Sequence, residues 1–128
     1  MTDDSKKILL VEDDADLIDM YEAKFKMEGF DVTRAENGAQ ALNEIKVNKP
    51  AAILLDIVMP EIDGFQVLKD LKADPTTKKI PVILLTNLGQ DGDIRKGIEL
   101  GADDYLIKAN YTPNEVVDKV NKALAKKN

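Results

Sequence analysis

The chain predicts an α/β fold, a three-layer sandwich built on a five-stranded parallel sheet. Three observations point there. Five short apolar runs alternate with five amphipathic segments along 128 residues, the pattern of βα units that places helices on both faces of one sheet. The runs AAILL and PVILL lack the polar alternation of a half-exposed strand, as strands covered on both faces should. No cysteine, repeat or long linker interrupts the pattern, so packing alone holds it together.

The strands are expected in KKILLV, FDVTR, AAILL, IPVILLT and DDYLIK, each bounded by turn residues and too short for an ordinary helix. The first helix follows from Leu17, Tyr21 and Phe25 at four-residue spacing, with Gly29 as its stop. Asp14 precedes that pattern as an N-cap, and Asp16 complements the helix dipole. The second helix starts near Gly38 and ends before Pro50. The third follows Gly64, with Val67, Leu68 and Leu71 on one face. A weaker fourth helix spans Asp91 to Leu100, loosened by Gly89, Gly92 and Gly97; an interior glycine costs about 1 kcal/mol against alanine. The fifth begins near Thr112-Pro113 and turns Val116, Val117, Val120 and Leu124 inward.

Composition excludes whole classes of chemistry. The net charge of −6 argues against a nucleic-acid partner, which would require a basic face. Lys119, Lys122, Lys126 and Lys127 cluster near the chain end and are read as a solvated helix terminus. With neither histidine nor cysteine, thiolate and imidazole metal sites, a Ser-His-Asp triad and a phosphohistidine on this chain are all ruled out. The polar opening MTDDSKK is unlike a signal peptide, and no apolar run approaches membrane-spanning length. A single cytoplasmic domain over residues 1–128, with no output domain and no membrane association, is the expectation.

Function is written at the strand ends. In a parallel sheet all carboxyl ends share one edge, where ligands bind. Here the first strand runs into Glu12 and Asp13, the third into Asp56, the fourth ends at Thr86 and the fifth at Lys108. Two carboxylates about 4 Å apart repel by about 4 kcal/mol at an effective dielectric near 20. Three therefore call for a cation. Lys108 offsets part of the charge, and an all-oxygen, partly hydrated nest suits Mg²⁺. A nucleophilic carboxylate, a hard cation, a hydroxyl and an ammonium together describe a phosphoryl-transfer site. Asp56 has the least plausible structural explanation, because an acid after AAILL is poorly solvated without partners. Thr86 and Tyr105, taken singly, would pass for structural residues, and Asp103 and Asp104 for a solvated loop.

The motifs VEDD, LLDIVMPEIDG, PVILLTN and GADDYLIK, in this order and spacing, resemble the receiver domain of bacterial two-component response regulators of the stand-alone type. The likeness runs from about Lys6 to Leu124. It implies a flavodoxin-like (β/α)5 fold with strand order 2-1-3-4-5. It further implies that Asp56 accepts a phosphoryl group from a phosphohistidine on a histidine kinase or histidine phosphotransfer protein. Asp13 and Asp56 would bind Mg²⁺ through their carboxylates, Val58 through its backbone carbonyl and Glu12 through water. Thr86 and Lys108 would hold the phosphoryl group, and Thr86 and Tyr105 would form the switch that alters the surface shown to a downstream protein target.

The sequence departs from the family at Ala109, where a proline usually follows a cis peptide bond. A cis bond before a non-proline residue costs roughly 2.5–4 kcal/mol, which favours trans here. Val58 and Leu88 flank the phosphorylation site without polar side chains, which predicts a long-lived phosphoryl group. Two other readings compete. A receiver-like adaptor that is never phosphorylated would not need Asp13, Asp56, Thr86 and Lys108 together. A magnesium-dependent phosphatase of the haloacid dehalogenase type would use Asp-x-Asp, but Asp14-Ala15-Asp16 sits too late after the first strand and no cap region follows.

Overall fold

A computed structural model describes residues 6–127; the first five residues of the polar opening MTDDSKK lie outside the described part. Strands and helices alternate throughout: β1 (Lys7–Val11), α1 (Ala15–Met27), β2 (Asp31–Ala35), α2 (Gly38–Val47), β3 (Ala52–Leu55), α3 (Gly64–Ala73), β4 (Val82–Thr86), α4 (Asp91–Glu99), β5 (Asp104–Ile107) and α5 (Pro113–Lys127). A single 3-10 turn over Lys108–Asn110 follows β5. The sheet is wholly parallel in the order β2-β1-β3-β4-β5. The order expected from the resemblance is therefore the observed one.

Two apolar clusters sandwich the sheet. On one face Ile8, Leu10, Leu54, Ile83 and Leu106 pack with Ile18, Tyr21 and Phe25 of α1 and Val116, Val117 and Val120 of α5. On the other, Leu9, Val11, Ile53, Leu55, Val82 and Leu84 pack with Ala41 and Ile45 of α2 and Val67, Leu68 and Leu71 of α3. Side chains alternate between faces with period two, so β3 and β4 each supply both clusters and are buried along their whole length.

Local chemistry sets the helix entries. Asp14 caps α1 by accepting from the amides of Asp16 and Leu17 at 3.0 and 3.1 Å. Asn37 caps α2, and Asp63 caps α3 through the amide of Gln66 at 2.9 Å. Gly64 has a further reason to be glycine. A Cβ there would strike the Asp56 carbonyl oxygen and lie 2.7 Å from the Ile57 Cα. The start of α3 thus presses on the backbone that carries Asp56, and the Gly64 amide donates to the Ile57 carbonyl at 2.8 Å.

Two sequence expectations change. Gly97 does more than loosen α4: it is buried, and a Cβ on it would lie 2.7 Å from Leu84 Cδ1 and 2.9 Å from Tyr105 Cδ2. Asp103 is more than a solvated loop acid. Its carboxylate accepts from the Val82 amide at 2.8 Å, joining the loop that leads into β5 to the start of β4, with Lys72 Nζ 3.9 Å away.

Candidate functional site

The strand register assembles the site. Val11 of β1 pairs with Leu55 of β3, and Thr86 of β4 with Ile107 of β5, so the next residues of these strands, Glu12, Asp56 and Lys108, leave the same sheet edge. The Asp56 amide donates to the Val11 carbonyl at 3.0 Å, and the Glu12 amide to the Ala35 carbonyl at 3.1 Å. These backbone bonds extend the ladder by one step and fix where the two carboxylates start.

Glu12, Asp13 and Asp56 each offer a carboxylate oxygen within 4.8 Å of the others. Glu12 and Asp56 are buried and Asp13 is exposed, which gives the acids a floor and an open side. Beneath them lie Leu10, Ile18, Tyr21, Leu54 and Leu85. Lys108 Nζ donates to Glu12 Oε2 at 2.7 Å and to Asp56 Oδ2 at 3.2 Å, closing a contact 96 residues apart in sequence. The other oxygens are held too. Asp56 Oδ1 accepts from the amides of Ile57 at 2.7 Å and Val58 at 3.4 Å, and Glu12 Oε1 from the amide of Asp14 at 3.1 Å.

Electrostatics follow from this crowding. Burial pushes the Glu12 carboxyl above the ordinary glutamate range, helped by the charge of Asp56 and opposed by its bond to Lys108. Burial alone would lower the Lys108 ammonium, but the hydrogen bond to Glu12 and the charges of both acids outweigh it and raise it. One ammonium stands against three carboxylates. The remaining negative charge and the all-oxygen donor set fit a hard divalent cation.

Thr86 is fully buried at the end of β4, and its Oγ1 accepts from the Leu88 amide at 3.3 Å. Tyr105 lies inward under α4, and its hydroxyl donates to the Leu88 carbonyl at 2.5 Å. The Leu88 backbone thus touches both residues expected to form the switch. That link was missed in the sequence because a backbone carbonyl carries no residue-type signal. Val58 projects into solvent beside Asp56, with 57% of its surface exposed. The Lys108–Ala109 peptide is trans, as is every described peptide bond, and Lys108 still reaches both acids.

The response regulator receiver domain model matches residues 8–121. Among curated relatives, the "Probable transcriptional regulator ycf27" of Guillardia theta is 36% identical over 123 residues, 96% of this chain and 47% of that protein. Response regulator PleD of Caulobacter vibrioides is 44% identical over 104 residues, 81% of this chain and 23% of that protein. The chain thus spans about half or less of the length of these relatives. Among solved structures, the Francisella response regulator 1452 receiver domain superposes with a TM-score of 0.88 at 32% identity, covering 96% of this chain and 99% of that one. The sheet order, the clustered acids bridged by Lys108 and these similarities lead to one assignment: the chain belongs to the response regulator receiver domain family.

Proposed function

We propose that this protein is a phosphorylation-dependent signalling switch with Asp56 as its phosphoacceptor. The observation that carries the reading is the position of Lys108 Nζ between Glu12 and Asp56, beside an acidic cluster sized for a metal ion.

In the transfer step an Asp56 carboxylate oxygen attacks the phosphorus of a phosphohistidine on a partner histidine kinase or histidine phosphotransfer protein. The P–N bond breaks, its electron pair stays on the imidazole nitrogen, which takes up a proton, and an acyl phosphate forms on Asp56. Mg²⁺, held by Asp13, Asp56, the Val58 carbonyl and, through water, Glu12, would neutralise charge on the transferring group when bound. The chain's own groups do the rest. The amides of Ile57 and Val58 hold one Asp56 oxygen in place. Lys108 pairs with the incoming phosphoryl oxygens in exchange for its bond to Asp56. Thr86 accepts from the Leu88 amide, so its hydroxyl hydrogen is available to donate to the phosphoryl group. A shift of Thr86 then reaches Tyr105 through the shared Leu88 backbone and alters the surface of α4, β5 and α5 offered to a protein target. Moving such a switch from 1:99 to 99:1 takes about 5.5 kcal/mol of preference between states.

The test incubates the protein with Mg²⁺ and acetyl phosphate and weighs it intact beside Asp56→Asn. One acid-stable, base-labile phosphate on the native protein and none on the variant is the expected result. An unmodified native protein would favour the adaptor reading, and sustained release of inorganic phosphate from small esters would favour the phosphatase.

A further inference from the structure

α4 contributes one buried residue to the described core, and that residue is Gly97. Leu84 and Tyr105 fill the space where its side chain would be. A Cβ would sit 2.7 Å from Leu84 Cδ1 and 2.9 and 3.2 Å from Tyr105 Cδ2 and Cε2. Such separations are well inside van der Waals contact, so something must move. The two neighbours differ in freedom. Leu84 is fully buried on β4, an inner strand of the sheet. Tyr105 is on β5, an edge strand, at the end of the sheet order. Its ring can swing about χ1 to solvent, exchanging the hydroxyl bond to the Leu88 carbonyl for one to water. The space it leaves can take the displaced Leu84 methyl.

We propose that Gly97 is a positioning residue for Tyr105: the missing side chain is the notch that lets the ring lie inward against α4 with its hydroxyl on Leu88. The notch sets the inward–outward balance of the ring before any phosphoryl group arrives. Its consequence for signalling rests on the switch role proposed above.

The experiment observes the ring directly, by NMR of protein with labelled tyrosine rings and leucine methyls. In the native protein, cross-peaks join the Tyr105 ring to the Leu84 methyl. In Gly97→Ala the inward population falls about tenfold or more, and those cross-peaks vanish while the helical resonances of α4 persist. Cross-peaks of native intensity in Gly97→Ala would mean that α4 shifts and the ring does not, overturning the proposal. Should Gly97→Ala fold poorly, the same substitution in a Tyr105→Ala background decides the point. The proposal expects the destabilisation to disappear once the ring is gone, because alanine is the better helix former; an equal loss in both backgrounds would assign the constraint to Leu84 and refute it. Treatment with acetyl phosphate and Mg²⁺ separates the two levels. Native protein and Gly97→Ala should acquire the same adduct by mass, with the ring resonances of only the native protein responding. If phosphorylation leaves the native ring resonances unchanged, the switch reading fails, while the unphosphorylated comparison still decides the role of Gly97.

Discussion

On the proposed phosphorylation of Asp56, Val58 and Leu88 would offer only hydrocarbon to a hydrolytic water that needs a hydrogen-bonding partner. Val58 is exposed beside Asp56, and the Leu88 side chain packs against the core. Neither can orient a water for attack on an acyl phosphate. The expected outcome is slow loss of phosphate from purified phosphoprotein, and a Val58→Asn variant that loses it at least about tenfold faster, because a positioned polar group supplies water alignment. Following labelled protein over time checks both; rapid loss from the native chain would defeat the idea. At this scale the sequence was most legible where charge has no bland explanation. Asp56 after AAILL and Lys108 after DYLI announce themselves because a charge at the end of a buried strand needs partners. Asp103 and Gly97 do not, since an acid bonded to a distant amide and a glycine facing a ring look in sequence like any loop acid and any weak helix residue.

Helix ends hold the next level of information. Asp14, Asn37 and Asp63 each cap a helix, and Asp14 was readable because it directly precedes the Leu17, Tyr21, Phe25 repeat. At the start of α5 the cap is reciprocal. The Glu115 amide donates to Thr112 Oγ1 at 3.2 Å, and the Thr112 amide donates to Glu115 Oε1 at 2.9 Å. The bond from the Thr112 amide, aided by the Thr112 side chain, holds the Glu115 carboxyl below its ordinary value of 4.5. A carboxyl lowered in the folded state stabilises the fold above its unfolded pKa, and that contribution is lost as pH falls through the folded value. Thr112→Ala removes this reciprocal cap and should lower stability at neutral pH. Glu115→Gln should be slightly less stable than the native chain at pH 7, with the difference vanishing below the glutamate range. Urea titrations across that range check the sign, and a gap that widens in acid would contradict it. By contrast α4 begins at Gln90 without a side-chain cap, in keeping with the weaker pattern of its sequence.

For the molecule as a whole, alternation alone made the architecture legible. The five apolar runs became the five strands with ends shifted by a residue or two, because runs this short, bounded by turn residues, are too short for ordinary helices. Strand order was not readable from pattern and came from the resemblance; what the order does is bring β1 beside β3, so that residues 44 positions apart share one pocket. That juxtaposition stores repulsion in the fold. Glu12, Asp13 and Asp56 are drawn together by an apolar core indifferent to their charge, and Lys108 neutralises only part of it. If the cluster takes up the proposed cation, folding and cation binding are linked, because the unfolded chain has no such cluster. Mg²⁺ should raise the melting temperature progressively with concentration, by about 1.4 kcal/mol of stability at ten times its Kd. Asp13→Asn relieves one repulsion and removes one of the proposed ligands. It should melt higher than the native chain without metal and respond little to Mg²⁺. Thermal melts over a magnesium series with both proteins test this. A native midpoint that stays flat while Asp13→Asn melts lower in metal-free buffer would mean that the acids are stabilised by the protein alone.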